Sequence, residues 1–391
     1  MLENSHPVGL DATHGISLQC TAVLGWRDEP TDAVEDYCRF LASALARRGC
    51  SLEIVRIPWA EKGWRRALRD FSKKTQCQRA PWALVQFTAL SWSRHGFTHR
   101  FIFLIRFLKR SGMKVLIVFH DPDLFGGIRM RDRVRLRLQL FVFQRSARLA
   151  DKVVTTISPA CFPWMQDPSI RDKVTLVPVG SNVAVQTCLA KETGHVPTVI
   201  VFGVSGNHPA EVDLIGRTIL GAAKSLGNVR LIVFGRGSER AEPLRERFRG
   251  TPIKFERFGV VSFDQAGALL AAADVQLFVR FAVSSRRGSA IAGIACGLPI
   301  VGFSGQDTGF PITEAGVRLV PFGDDQGLLR ELLAVLRDDS LRETLAQRSR
   351  SAQQRYFSWE RIADQYISAI GDTSHQEPGY VSIPVEQHDP L

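Results

Sequence analysis

Short apolar runs of strand length recur along this chain, and most are followed by a stretch with helical periodicity. Such alternation joins neighbouring strands by crossovers, so the sheets they form must be parallel. The runs fall into two sets. The first comprises residues 21–25, 52–57, 82–87, 115–119, 153–157 and 174–178; the second comprises 199–202, 230–234, 254–258, 275–279, 300–301 and 318–320. Residues 32–48 read as a helix, with Val34, Tyr37, Leu41 and Leu45 on one face and Gly49 as its stop. Residues 328–357 read as a further helical stretch, and the polar residues 181–197 as a linker. The expected division is a domain over 1–190, a second over 191–356, a helix over 357–372 and a frayed tail over 373–391.

The stretch from Ala271 to Val301, AAADVQLFVRFAVSSRRGSAIAGIACGLPIV, carries the most chemistry. A helix closes at Ala273-Asp274 and a strand follows. The polar turn Ser284-Ser285-Arg286-Arg287-Gly288-Ser289 then opens a helix of small residues. The first N–H groups of a helix lack partners within it and carry the positive end of its dipole, so they attract anions. Arginine adds permanently charged, bidentate donors. Taken alone, the turn suits a diphosphate site and a solvated strand–helix loop equally.

At 391 residues, 45% of them hydrophobic, the chain can form two α/β domains with sizeable cores. Seven scattered cysteines without a CxxC pair argue for a reducing compartment and against a zinc site or a disulfide framework. No stretch has the layout of a signal peptide, and no apolar run reaches the roughly 18–20 residues of a spanning helix. The net charge of +11 is concentrated, because residues 94–152 hold fourteen Lys or Arg against four Asp. Two helical stretches, 99–110 and 128–148, carry most of it, the second with arginines at 129, 131, 133, 135 and 137. Basic amphipathic helices suit an anionic lipid surface. A solvated face is the alternative. A nucleic-acid partner is not expected, since no nucleic-acid fold signature accompanies the charge. The expected location is cytoplasmic, peripheral on the cytoplasmic membrane face.

The order from Ala273-Asp274-Val275 through the polar turn to Gly297-Leu298-Pro299-Ile300-Val301 resembles the donor half of the GT-B glycosyltransferases, specifically the retaining family 4 (group 1). Weaker matches follow one another in the correct order over about 340 residues. Val34-Glu35-Asp36-Tyr37 resembles the family's first helix, after a loop formed here by Gly25-Trp26-Arg27-Asp28. Residues 115–119 end in His120-Asp121, similar to the family's V-x-H-D/E strand end. Val201-Phe202-Gly203 and Phe234-Gly235-Arg236-Gly237 match two glycine turns, and Phe357-Ser358-Trp359-Glu360 resembles the start of the final helix.

The resemblance implies an α/β, GT-B fold: two Rossmann-like domains with parallel sheets facing an interdomain cleft, and a C-terminal helix that crosses back to the N-terminal domain. It implies a catalytic His120, with Asp121 beside it, facing the donor sugar. The donor diphosphate falls to Gly203, Gly235, Arg236, Ser285, Arg286, Arg287, Gly288 and Ser289, and the acceptor side to Gly25, Trp26, Asp36 and Tyr37. Two departures stand out. The family's two glutamates fall at Ser284 and Ala292, which removes a contact to the nucleotide ribose, and no lysine stands at its usual place after Gly203. The local SSRRGS resembles a subgroup with Arg-Arg-Gly-Ser at this turn.

Ligands of open parallel sheets bind beyond the carboxyl ends of the strands, where His120, Gly203, Gly235 and Arg286 all fall. The expected activity is metal-independent hexosyl transfer, with retention, to a glycan or lipid-linked acceptor in polysaccharide or glycoconjugate biosynthesis. A UDP- or GDP-type nucleotide sugar enters as substrate, and no cofactor is expected. Asp121-Pro122-Asp123 has the spacing of a metal-binding DxD but reads as a loop after a strand. Two alternatives stay open. A nucleotide-sugar epimerase of the same fold needs a carboxylate acid–base pair, which is not identifiable here. A non-catalytic GT-B subunit, binding nucleotide or a partner transferase, is motivated by the missing glutamates. A Rossmann dehydrogenase is disfavoured, because neither glycine turn reads GxGxxG.

Overall fold

The computed structural model describes residues 18–26, 32–76, 80–124, 130–183, 195–205 and 209–371. Strands β1 (Gln19–Leu24), β2 (Ser51–Arg56), β3 (Trp82–Phe87), β4 (Lys114–Phe119), β5 (Lys152–Thr155) and β6 (Val174–Leu176) form one sheet in the order β2-β1-β3-β4-β5-β6. Strands β7 (Thr198–Phe202), β8 (Val229–Phe234), β9 (Ile253–Arg257), β10 (Val275–Ala282), β11 (Ile300–Ser304) and β12 (Val317–Pro321) form a second, in the order β12-β11-β10-β7-β8-β9. Every pairing is parallel. The helices up to the end of the first sheet are α1 (Ala33–Ala46), α2 (Trp59–Lys62), α3 (Trp64–Gln76), α4 (Arg100–Arg110), α5 (Met130–Leu149) and α6 (Pro168–Arg171). The later ones are α7 (Pro209–Leu226), α8 (Pro243–Arg247), α9 (Phe263–Ala271), α10 (Gly288–Ala295), α11 (Asp325–Arg337), α12 (Asp339–Ala352) and α13 (Trp359–Gly371).

The strands read as unbroken apolar runs because helices cover both faces of each sheet. In β4, Val115, Ile117 and Phe119 point to a core shared with α3, α4 and α5. The alternate residues, Leu116 and Val118, point to a second core shared with α1 and α13. The last helix among the described residues, α13, thus completes a core of the first sheet. The Tyr37 and Tyr366 hydroxyls are hydrogen-bonded at 3.0 Å, and Arg48 pairs with Asp364 at 2.7 Å. Trp359 stacks on Phe40 and lies flat against Gly180, where a Cβ would fall 2.6 Å from the indole. Only glycine permits that approach.

Two expectations change. The helical stretch 328–357 is broken at Asp338, whose extended backbone ends α11 while its carboxylate accepts from the Leu341 N–H and caps α12. It ends in a π-helical turn, Gln353–Phe357. The basic helix expected over 128–148 is described from Met130 onward, and within it Arg135 is buried against Asp132 rather than exposed. Most of the expected linker, the tail, Arg27, Asp28 and Arg129 lie outside the described residues.

Candidate functional site: a basic cleft between the sheets

The carboxyl ends of strands from both sheets open onto one cavity of about 640 Å³. Its lining includes Asp36, Tyr37, His120 and Asp121 from the first sheet's side. From the other side come Gly235, Arg236, Arg280 and the start of α10, Arg286 to Ser289. The rear is apolar, built on Phe202, Phe234, Val261, Ala266 and Ala292.

His120 follows β4, half-buried, with the edge of its ring against Tyr37 at 5.0 Å. Its Nε2 lies 2.7 Å from Gln86 Oε1, while the Gln86 amide nitrogen donates to Leu84 O. A carbonyl oxygen can only accept, so Nε2 carries the proton. Burial pushes the His120 pKa down to about 4, against a small opposing pull from Asp32. At neutral pH the imidazole is therefore uncharged, with its free lone pair on Nδ1.

The two neighbouring arginines have different partners. Arg286 is buried among three carboxylates, Asp121 and Asp123 from the first sheet's side and Asp307 from the second. Burial opposes its charge, but Asp123, Asp121 and Asp307 together more than offset that and hold its pKa above the ordinary value. Arg287 has only a distant carboxylate, Asp307 at 3.9 Å, and lies over the Phe281 ring. Burial, then the charge of Arg286, lowers its pKa. The Nε atoms of Arg287 and Arg280 are both buried without a hydrogen-bond partner among the described residues. A buried donor left unpaired costs about 1–3 kcal/mol, so both guanidinium groups carry unmet hydrogen-bonding capacity at the cavity wall. Helix α10 adds to this. Its N-cap, Arg287, makes no side-chain cap, and the first-turn Gly288 and Ser289 line the cavity.

Arg280 reaches this position through an irregularity. The register of β10 against β11 shifts between Phe278 and Ala282, and Phe281 adopts φ 63°. That conformation is costly for a non-glycine residue and gathers at binding sites. The sequence reading passed over Arg280; its signal was a charge inside the otherwise apolar run VQLFVRFA.

The remaining expected residues divide. Gly235, with φ 88°, lines the cavity, and a Cβ there would fall 2.9 Å from the Phe202 ring. Gly203 lies behind it, its N–H bonded to Phe234 O. Ser285 does not face the cavity. Its hydroxyl donates to Thr156 O and its carbonyl accepts from the Val179 N–H, tying the second sheet's turn to the first sheet's loops. Gly25 and Trp26 also lie off the cavity wall. A Cβ at Gly25 would meet Ser91 O at 2.2 Å, and Trp26 packs with Trp59 beneath Arg94. Tyr37 contributes its ring, because its hydroxyl is committed to Tyr366.

Two parallel-sheet domains facing a cleft, with the last helix returned to the first domain, decide the architecture. The fold is GT-B. Sucrose-phosphate synthase from Thermosynechococcus elongatus superposes with a TM-score of 0.64 at 19% identity, over 90% of this chain and 98% of that one. Anabaena Alr3699/HepE, solved in complex with UDP and glucose, superposes with a TM-score of 0.60 at 13% identity, over 91% of this chain and 100% of that one. Among curated proteins, the chain is 27% identical over 238 residues to a phosphatidyl-myo-inositol mannosyltransferase of Mycobacterium leprae (strain TN). That match covers 59% of this chain, and the chain spans 62% of the relative's length. No protein-family model matches the chain.

Proposed function

We propose that this protein is a glycosyltransferase of the family 4 kind that moves a hexosyl group from a UDP- or GDP-type nucleotide sugar, with retention, to a glycan or lipid-linked acceptor. One observation carries the reading: Arg280 and Arg287, whose Nε groups have no hydrogen-bond partner among the described residues, line one interdomain cavity together with an uncapped helix N-terminus. In the reaction the bond from the sugar's anomeric carbon to the diphosphate breaks, a bond to the acceptor oxygen forms, and the acceptor hydroxyl's proton passes to the leaving diphosphate. Charge building on the leaving diphosphate is met by Arg280, Arg287 and the α10 N–H groups, donors fixed before the reaction begins. Neutral His120 offers a hydrogen-bond acceptor to a donor-sugar hydroxyl. The relatives' names support the reading: one is a mannosyltransferase and one is complexed with UDP and glucose.

Because the arginines take the role a metal would have, donor turnover should persist in excess chelator. Calorimetric titration with UDP and GDP, followed by release of nucleoside diphosphate from UDP- and GDP-sugars, tests the proposal. Binding of neither nucleotide overturns it. A second reading, a GT-B subunit that binds nucleotide without transferring sugar, draws on Ala292 and on the three carboxylates that occupy Arg286. Nucleotide binding without donor turnover, in the presence of candidate acceptors, would favour it.

A further inference from the structure

Helices α3, α4 and α5 all pack on the same face of the first sheet, through residues such as Phe71, Leu104 and Val142. Phe71 of α3 meets Phe107 of α4 edge-on. Their outward sides therefore form one surface, and none of their residues lines the cleft. On α3, Arg65, Arg66, Arg69 and Lys73 are exposed at helical spacing without an ion-pair partner among the described residues. On α4 the outer stripe runs Arg100, Phe103, Arg106 and Arg110; on α5 it runs Met130, Arg133, Val134, Arg137 and Phe141. The only acids of the three helices are Asp70, paired with Lys62, and the buried Asp132, paired with Arg135.

Large apolar side chains stand among these cations. Phe103 is 59% exposed, Met130 73%, Val134 56% and Phe141 57%. A nucleic-acid backbone would satisfy the charge but give protruding Met, Val and Phe side chains no partner, whereas a bilayer interface satisfies both. We infer that the α3–α4–α5 face docks on an anionic lipid bilayer, with the arginines at the headgroups and Phe103, Met130, Val134 and Phe141 entering the interface. No helix among the described residues is long and apolar enough to cross a membrane, so this attachment lies on the surface. It is independent of the donor cleft and of the transfer reading.

The test is flotation of the full chain with vesicles of equal parts phosphatidylcholine and phosphatidylglycerol, or of phosphatidylcholine alone, at low and high salt. Strong binding to the anionic vesicles at low salt is expected, weakened at high salt as screening shortens the electrostatic reach. Each cation removed should weaken binding about fivefold, so Arg65→Ala/Arg69→Ala/Lys73→Ala should lose roughly 100-fold. Phe103→Ser/Phe141→Ser should abolish whatever binding survives at high salt. Both variants alter exposed positions, and an unchanged melting temperature verifies their folding. Equal binding to both vesicle types, binding to neither, or an α3 variant that floats like the wild type overturns the proposal. So does retention on RNA as tight as on anionic vesicles.

Discussion

On the first-sheet wall of the cleft Tyr37 and His120 are already answered by protein groups, whereas on the second-sheet wall two buried donors are not. Tyr37 is bonded to Tyr366 and His120 to Gln86, and burial holds both in their neutral forms. Opposite them, Arg280 and Arg287 keep buried Nε donors without partners, beside an uncapped helix start. A satisfied wall is rigid before any ligand arrives and can only position one. An unsatisfied wall keeps guanidinium and helix N–H groups without protein partners of their own. Under the proposed function, affinity falls to the second wall and orientation to the first.

The largest effect should come from emptying the second wall. Arg280→Ala and Arg287→Ala should each weaken UDP or GDP binding by about 1.5–3 kcal/mol, roughly 10- to 150-fold by calorimetry. If the single variants bind like the wild type, the contrast between the walls fails.

Arg286 sharpens the comparison from the other side, since its charge is spent on Asp121, Asp123 and Asp307. Arg286→Ala should cost about 2–3 kcal/mol of folding stability, towards the low end for a buried pair because Asp121 and Asp123 are about half exposed. Its effect on nucleotide affinity should be smaller than that of Arg287→Ala. The reverse ranking, read from melting curves and titrations, would return Arg286 to the diphosphate site.

His120→Ala should lower kcat by up to about tenfold while leaving donor affinity within about twofold, the mark of a contact that strengthens only in the transition state. The folded pKa of His120 is depressed from 6.5 to about 4, so the unfolded chain binds the extra proton first. Its contribution to stability is therefore complete above pH 6.5 and is lost as pH falls towards 4. If the protein turns over a donor, turnover should show no acid limb near 6.5 that disappears in His120→Ala; such a limb would mean that the imidazole titrates near its ordinary pKa instead of staying neutral down to about 4.

The smallest effect concerns the rear of the second wall. Ala292 lines the cavity and α10 carries no carboxylate, so under the proposed function UDP and 2′-deoxy-UDP should bind within about threefold of each other. Ala292→Glu should introduce a preference for the ribonucleotide, at a packing cost of about 1–3 kcal/mol because the site is 1% exposed. Strong discrimination by the wild type would place the ribose contact elsewhere.

What the sequence by itself determined is the alternation of strand and helix, the parallel sheets it requires, and the glycine turns and basic turn at strand ends. Each is a local matter: apolar periodicity, a left-handed backbone that favours glycine at 203 and 235, a helix start at Gly288. The break at Asp338 was also local, and was overlooked because helical periodicity runs through it on both sides. Helix α3 went unread although its basic stripe is as regular as that of α4. Only the tertiary structure decided how neighbouring residues divide their work. Ser285, Arg286 and Arg287 are consecutive in the chain, yet one ties the two domains together, one is paired with three carboxylates from two distant loops, and one lines the cleft without a close carboxylate. Nothing local separates them. The partner of a charged side chain is set by what the fold brings within hydrogen-bond reach, and here those partners lie on loops of both domains.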